Sequence, residues 1–448
     1  MTMPPGPPLP AFLTTSAMIA APTLVLHGIH RRYGDIFTIR TLAFGTEVIV
    51  TQPGPIKQVL TGDSDTYSAA EANAPLGYIL GDRSLLLLDG PPHLRIRKLL
   101  LPPFHGDRMP ALCDTMREAT ERALDGVRPG DVLDMGPIFQ RITLEIILQT
   151  VLGLSMDARA ARLRDALTVL VNEAQSPLAL LWFSPKVNRL DLPIPTPWGR
   201  VRKLCAEADA LLFEHVRARR AMADADRPRD ILDMLLDARD EEGAPLSDQE
   251  LRDQLVTLLL AGHETTATSL CWATEEIVHT RGEGARLAEE ARSVTAGAKL
   301  KSEHVTALTR MDAAVKEALR MYPVTGAVGR RLKKPVTLAG WDLPPGITVA
   351  TSFSLLHRRP ELYPDPDRFS PERFIGKKID MWEWIPFGAG AHRCLGMHFA
   401  LYEMRVVLAT LLQKLALEPV REKATVGLRS FVVSPRGGTR VRVTRLLD

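Results

Sequence analysis

The sequence predicts a mainly α fold of the α+β class, with small β-sheets near both ends of the chain. Three observations carry this reading. Long segments repeat apolar residues at three- and four-residue spacing. Segments that alternate with period two are few and short. No linker divides the 448 residues. Length alone would suggest about three domains, but no Gly/Ser-rich, Gln-rich or like-charge run interrupts the chain. One domain over residues 1–448 is therefore expected, with the proline-rich residues 1–10 as an N-terminal arm. A chain of this length buries enough apolar surface to enclose a cofactor.

Taken in order, residues 35–40 and 46–51 alternate around Gly45 and predict a hairpin. Residues 106–127, 196–222 and 311–321 carry apolar side chains at helical spacing. The longest periodic run starts after Ser247, passes Leu251, Leu255, Leu258, Leu259 and Leu260, and continues to about His279. Strand signals return at 336–338, 347–351, 429–433 and 440–443. Residues 364–374 hold three prolines without any period and predict an irregular loop; 388–390 predicts another. Helical period resumes with Phe399, Met404, Val407, Leu408, Leu411 and Leu415.

Apolar content of 45% and charged content of 24% are ordinary for a globular protein. A net charge of +3 does not argue for nucleic acid. Cys113, Cys205, Cys271 and Cys394 show no paired spacing, so reduced thiols are expected. The most apolar N-terminal stretch, 17–26, is broken by Pro22 and falls short of the ~20 residues a span needs. No Lys or Arg precedes Arg31, so a signal-peptide n-region is missing. These features predict a cytoplasmic protein without a membrane anchor.

The most informative segment is Phe387-Gly-Ala-Gly-Ala-His-Arg-Cys-Leu-Gly396. Cys394 ends a glycine-rich loop and opens an amphipathic helix, where backbone N–H groups and the helix dipole favour a thiolate. Gly388 and Gly390 would let the backbone approach a flat macrocycle closely. His392 and Arg393 add donors and positive charge for an anionic cofactor. A small buried hydrophobe is the plainest alternative for a lone cysteine. A nucleophile paired with His392 is another. A dinucleotide loop fails, because Arg393 falls where the third glycine should be.

This segment resembles the cytochrome P-450 pattern Phe-Gly-x-Gly-x-(His/Arg)-x-Cys-x-Gly at all six fixed positions, and motifs in family order spread the resemblance from about residue 30 to 440. It implies that the Cys394 thiolate is the axial ligand of haem iron, with Phe387, Gly388, Gly390, His392 and Gly396 around the cofactor. Ala261-Gly-His-Glu-Thr-Thr266 places polar residues within an apolar helical run. Thr265 can bond a carbonyl one turn earlier, and Gly262 leaves room beside that turn. Alone this could be a polar patch. It resembles the family's oxygen-binding motif, which implies that Glu264 and Thr265 deliver protons during oxygen activation. His263 is either a spectator or a member of that relay. His93 and Arg97 share one helix face and, by resemblance to Asp-Gly-Pro-x-His-x-x-x-Arg, bind haem propionates. Arg330, ten residues before Gly340, matches a third propionate contact, with Arg331 beside it as a rival. Glu317 and Arg320 alone would be a surface pair worth ~0.2–0.5 kcal/mol. The resemblance makes them the family's Glu-x-x-Arg motif, joined by Arg373 in a structural triad.

The resemblance implies a helical prism holding haem b, and insertion of one oxygen atom from O2 into an unactivated bond. No fused reductase is expected. Electrons from NAD(P)H would arrive in trans through a ferredoxin and its reductase, or a flavodoxin, to a monomer. Arg97, Lys98 and Arg393 are candidate docking cations for such an acidic partner. Residues 67–81, 177–197, 324–328 and 430–433 are the expected pocket walls. Leu178, Leu180, Leu181, Trp182 and Phe183 favour a lipophilic substrate: a terpenoid, fatty acid, steroid or polyketide. The rival readings are a haem sensor or carrier without turnover, a cysteine-dependent hydrolase, and a peroxide-driven relative.

Overall fold

The computed structural model describes residues 3–104, 108–154, 161–163, 165–169, 197–429 and 432–447. The proline-rich segment is an integral part of the fold: the Thr38 backbone N–H donates to the Pro5 carbonyl (2.9 Å) and the Thr38 hydroxyl to Pro4 (2.7 Å), so it lies along the first strand. Gly6 permits this approach, since a Cβ there would sit 1.9 Å from the Thr38 carbonyl oxygen. Two helices follow, α1 (Ala11–Ala20) and α2 (Pro22–Tyr33). The apolar stretch 17–26 crosses their junction. Pro22 starts α2 rather than merely breaking a run, because a first-turn N–H has no helical partner to lose.

The expected hairpin forms from β1 (Ile36–Thr41) and β2 (Gly45–Val50), with Ile36 opposite Val50 and Thr41 opposite Gly45. After α3 (Pro53–Thr61), β3 (Tyr67–Ser68) and α4 (Ala69–Asn73), the chain enters its helical body. This comprises α5 (Gly90–Leu100), α6 (Cys113–Ala123), strand β4 (Val132–Asp134), α7 (Met135–Leu152), α8 (Pro197–Arg220), α9 (Asp248–His279), α10 (Glu283–Thr295) and α11 (Thr309–Met321). Strands β5 (Ala327–Leu332), β6 (Val336–Leu338), β7 (Trp341–Leu343) and β8 (Thr348–Ser352) precede α12 (Met397–Lys414). The chain closes with β9 (Leu415–Pro419), β10 (Val426–Arg429), β11 (Val432–Pro435) and β12 (Arg440–Leu446). Sheet order is β1-β2-β8-β5-β3, with β2 and β8 parallel; β4-β12-β9 form a second sheet, and β10-β11 and β6-β7 are two-stranded.

Three expectations need correction. Leu415 opens β9 instead of ending the last helix. The single strand signal at 429–433 is a hairpin, β10–β11, whose residues 430 and 431 lie outside those described. Within 106–127, the described residues form a short helix, Arg108–Ala111, and then α6.

At 32 residues, α9 is about 48 Å long and runs through the main apolar core. Its start is fixed by a reciprocal cap between Ser247 and Glu250. Trp272, fully buried on α9, stacks on Tyr322 at 3.8 Å and donates through its indole N–H to the Val433 carbonyl (2.8 Å). That bond fastens the β10–β11 hairpin to the central helix.

Candidate active site

The loop before α12 is wound by its own backbone. The Gly388 N–H donates to Ile385 (3.0 Å), Arg393 to Gly390 (3.2 Å) and Cys394 to Phe387 (2.9 Å). Gly388 and Gly390 both take left-handed φ, +68° and +71°. Their surroundings differ. A Cβ on Gly390 would lie 2.1 Å from the Leu60 carbonyl oxygen, so this glycine seats the loop on the end of α3. Apart from its chain neighbours, no atom of the described residues lies within 4 Å of a Cβ on Gly388 or on Gly396, which precedes α12. Phe387 meets Trp384 edge-on at 6.0 Å.

Cys394 is exposed, whereas the other three cysteines are buried. Burial nevertheless pushes its thiol pKa up, while the Gly396 backbone N–H, Arg97 and Arg393 pull it down. The sulfur therefore borders an opening inside the protein and has three stabilisers of negative charge at hand.

Around the same opening stands a cluster of basic side chains. His93 is buried, and its Nε2 has no hydrogen-bond partner. Its ring lies 3.8 Å from that of His392, tilted by 31°. Burial, then the neighbouring His392 and Arg97, lowers the His93 pKa to about 4. Arg330 is buried and, among the described residues, donates to the adjacent Gly329 carbonyl alone (2.9 Å); burial lowers its pKa to about 10. Burial also lowers that of Arg97, against the pull of Cys394. Neither arginine has a carboxylate partner among the described residues. Arg330 is buried and Arg331 half-buried on β5, which settles which of the two faces inward.

Asp89 is the acid in this cluster, and reasoning on sequence passed over it although it lay inside the quoted motif. Its carboxylate accepts from the Ser68 hydroxyl (2.5 Å) and from the Ala69 and Ala70 N–H groups (3.1 and 3.3 Å), with His392 Nε2 at 3.5 Å. Burial alone would raise its pKa, but these bonds, His392 foremost, hold it well below the usual carboxylate range. One occupied acid does not balance two arginines and an orphaned imidazole. A buried arginine and a half-buried one without carboxylate partners among the described residues, beside an imidazole with an unmet nitrogen, call for an anionic ligand. The propionates and flat face of haem fit them, with a thiolate at Cys394 for the iron.

On α9 the exposure pattern separates the motif into two faces. Ala261 is exposed and Gly262 and Thr265 half-exposed in the middle of a largely buried helix. The Thr265 hydroxyl donates to the Ala261 carbonyl at 2.5 Å, as expected. His263 and Glu264 turn into the protein instead. His263 Nδ1 lies 2.8 Å from the Thr143 hydroxyl of α7, and burial, then Arg429, lowers its pKa to about 4. Glu264 accepts from Gln140 Nε2 (3.1 Å) and the Thr268 hydroxyl (3.5 Å), with Arg429 Nη1 at 3.7 Å. Burial raises its pKa against Arg429, Gln140 and Thr268. Gly262 serves helix packing, because a Cβ there would lie 2.9 Å from Ile147 Cδ1 on α7. No local signal marks Gln140 or Arg429, which come from α7 and β10.

Behind the loop, Glu317 and Arg320 are fully buried and joined by two hydrogen bonds (2.7 and 2.9 Å). Arg373 Nε donates to the same carboxylate at 3.2 Å and Arg320 Nη1 to the His357 carbonyl at 2.8 Å. The triad is thus interior. Of the expected docking cations, Arg97 is occupied at the sulfur and Lys98 pairs with Glu241 at 2.6 Å. Arg393 borders a surface cavity, together with Lys316, Trp384 and Phe387. The expected wall 177–197 lies outside the described residues except for its last position, Pro197. Two of the other segments expected to be walls are joined, the Val433 N–H donating to the Val324 carbonyl at 2.9 Å.

A helix-rich fold with a cysteine loop and a buried basic cluster defines a haem-thiolate protein. Comparison agrees: the cytochrome P450 family model matches residues 3–439. Two relatives from Mycobacterium tuberculosis carry provisional names. Cytochrome P450 135B1 is 38% identical, covering 100% of this chain and 93% of its own length. Cytochrome P450 135A1 is 31% identical, covering 98% and 95%. The retinoic acid-bound cyanobacterial CYP120A1 superposes over 100% of both chains with a TM-score of 0.82 at 23% identity, a likeness of fold. The chain belongs to the cytochrome P450 family. It is a monooxygenase with haem b as its cofactor, and its electrons derive from NAD(P)H through redox partners. No described helix is long and apolar enough to cross a membrane.

Proposed function

We propose that the protein inserts one oxygen atom from O2 into a lipophilic small molecule, using a separate electron donor. The observation that carries the site assignment is the cluster of Cys394, Arg97, His93, His392 and Arg330 with one occupied acid. Cys394 is the thiolate ligand, and Gly396, Arg97 and Arg393 stabilise its charge. His93, Arg97, Arg330 and His392 hold the propionates. Haem, when bound, supplies oxygen activation with two electrons and two protons, the second oxygen leaving as water. Thr265 works at its hydroxyl: while that group donates to Ala261, its oxygen lone pairs can accept a proton donor. Glu264, with its raised pKa, can carry a proton, and Gln140 and Arg429 hold it turned away from Thr265's face. Rotation of Glu264 off these partners would bring a proton from the protein's interior network to the Thr265 side.

The apolar Leu178, Leu180, Leu181, Trp182 and Phe183, with the joined walls at Val324 and Val433, support a lipophilic substrate. A terpenoid, fatty acid, steroid or polyketide fits this description. A ferredoxin with its reductase, or a flavodoxin, fits the role of donor, docking where Arg393 and Lys316 flank Trp384 and Phe387. The test is a spectral-shift screen of lipophilic compounds on haem-loaded protein, followed by product analysis with a ferredoxin system. Shifts and oxygenated products from apolar compounds are expected. Shifts given only by polar compounds would sink the substrate reading.

A further inference from the structure

We propose that α1 and the β1–β2 turn form a docking face for an anionic lipid surface. The observations are independent of the substrate reading. Residues 1–30 contain no Asp, Glu, Lys or Arg. Folding leaves much of this apolar segment outside: Phe12 is 55% exposed, and Leu9 and Leu13 beside it are also exposed. Along α1, Phe12, Ser16 and Ala20 recur at four-residue spacing as one outward, uncharged row, while Thr14 faces inward. Leu42, exposed in the β1–β2 turn, extends this row, because its N–H donates to the Thr15 hydroxyl at 3.0 Å. Leu24 of α2 is 76% exposed. Leu9, Phe12, Leu13 and Leu42 therefore make an apolar strip and not scattered single residues.

Charge decides what covers it. Arg436 donates to the Ala20 carbonyl and so stands at the C-terminal end of the row. Arg40 is exposed two residues before Leu42, and Arg31 and Arg32 are exposed at the end of α2. None of these four has a carboxylate partner among the described residues. The first acid of the chain, Asp35, is already taken by Arg359 (2.6 Å) and His30 (3.0 Å). A strip of apolar side chains fringed by unpaired arginines matches the boundary between acyl chains and anionic headgroups. A second copy of the chain matches poorly, since a two-fold contact over the strip would bring two sets of arginines together and supply no carboxylate for either.

The experiment uses the haem-loaded full chain and sedimentation with large unilamellar vesicles. One set holds equal parts phosphatidylcholine and phosphatidylglycerol; the other holds phosphatidylcholine alone. Binding to the anionic set is expected, weakening as salt screens the arginines. The double variant Phe12→Ser/Leu13→Ser should bind about tenfold more weakly with an unchanged haem spectrum. A second variant, Phe12→Trp, keeps the apolar bulk and should add a blue-shifted emission component with anionic vesicles. Failure of the unaltered protein to bind those vesicles would overturn the proposal. So would equal binding by the double variant, or no emission change in Phe12→Trp. Self-association that the double variant abolishes, without vesicle binding, would hand the face to a second copy.

Discussion

At the scale of the residue, Cys394 shows how one side chain acquires its chemistry from its setting. A Gly396 N–H and two arginines offset part of the cost of holding negative charge in a buried place, which still raises the thiol pKa. Cys394→His should abolish the red-shifted Soret band of the reduced carbon-monoxide complex while leaving haem bound, and absorption spectra of the purified variant check this. Persistence of the band would mean another sulfur ligand. Thr265 and Glu264 are neighbours in sequence but face different ways, so their substitutions should behave differently. Thr265→Ala should still consume reduced cofactor but divert electrons to peroxide. Glu264→Gln should slow turnover and raise its solvent isotope effect. Product and peroxide counted per reduced cofactor oxidised distinguish these outcomes; unchanged coupling in Thr265→Ala would require another proton route. His263 is bonded to Thr143 behind the helix, on the same inward side as Glu264. The cysteine loop was legible in sequence because its chemistry needs contiguous residues. Glu264's partners were not, because Gln140 and Arg429 reach it only through tertiary folding.

At the scale of the element, the long helix was legible from the apolar period that follows Ser247, while the ends of shorter elements were not. Leu415 continued the apolar spacing of α12, yet pairing with β12 opposite Leu446 draws it into a strand. Pairing partners far along the chain decide such cases, and local spacing does not encode them. The N-terminal sheet carries a titration of its own. Glu47 of β2 is buried, and burial raises its pKa to about 7 against a single hydrogen bond from Thr41 (2.6 Å). Its native pKa thus exceeds the ordinary 4.5, so its contribution is fully present below that value and is lost as pH rises through about 7. Thermal midpoints of the haem-loaded protein should fall between those two pH values. Glu47→Gln should flatten the curve over that window, and an identical slope in the variant would remove Glu47 from the account.

At the scale of the whole molecule, Glu317 joins α11 to the segment leading to the cysteine loop through Arg320, Arg373 and the Ser370 N–H (2.9 Å). Deleting one member of a buried pair costs about 3–5 kcal/mol. Glu317→Ala should therefore yield little folded, haem-loaded protein, as judged by haem content and thermal midpoint; normal values for both would make the triad dispensable. The overall architecture was legible from helical periods and motif order, whereas the role of residues 1–10 was not, because prolines signal no partner. That partner is β1, the outermost strand of its sheet. An uncovered outer strand is a template on which other chains can polymerise. Here the Pro4 and Pro5 carbonyls occupy that margin, and prolines, having no N–H of their own, offer the next chain no donor. The segment thus acts as a chain terminator for sheet growth. A variant lacking residues 1–10 should scatter light in proportion to its concentration and time of storage, where the full chain stays clear.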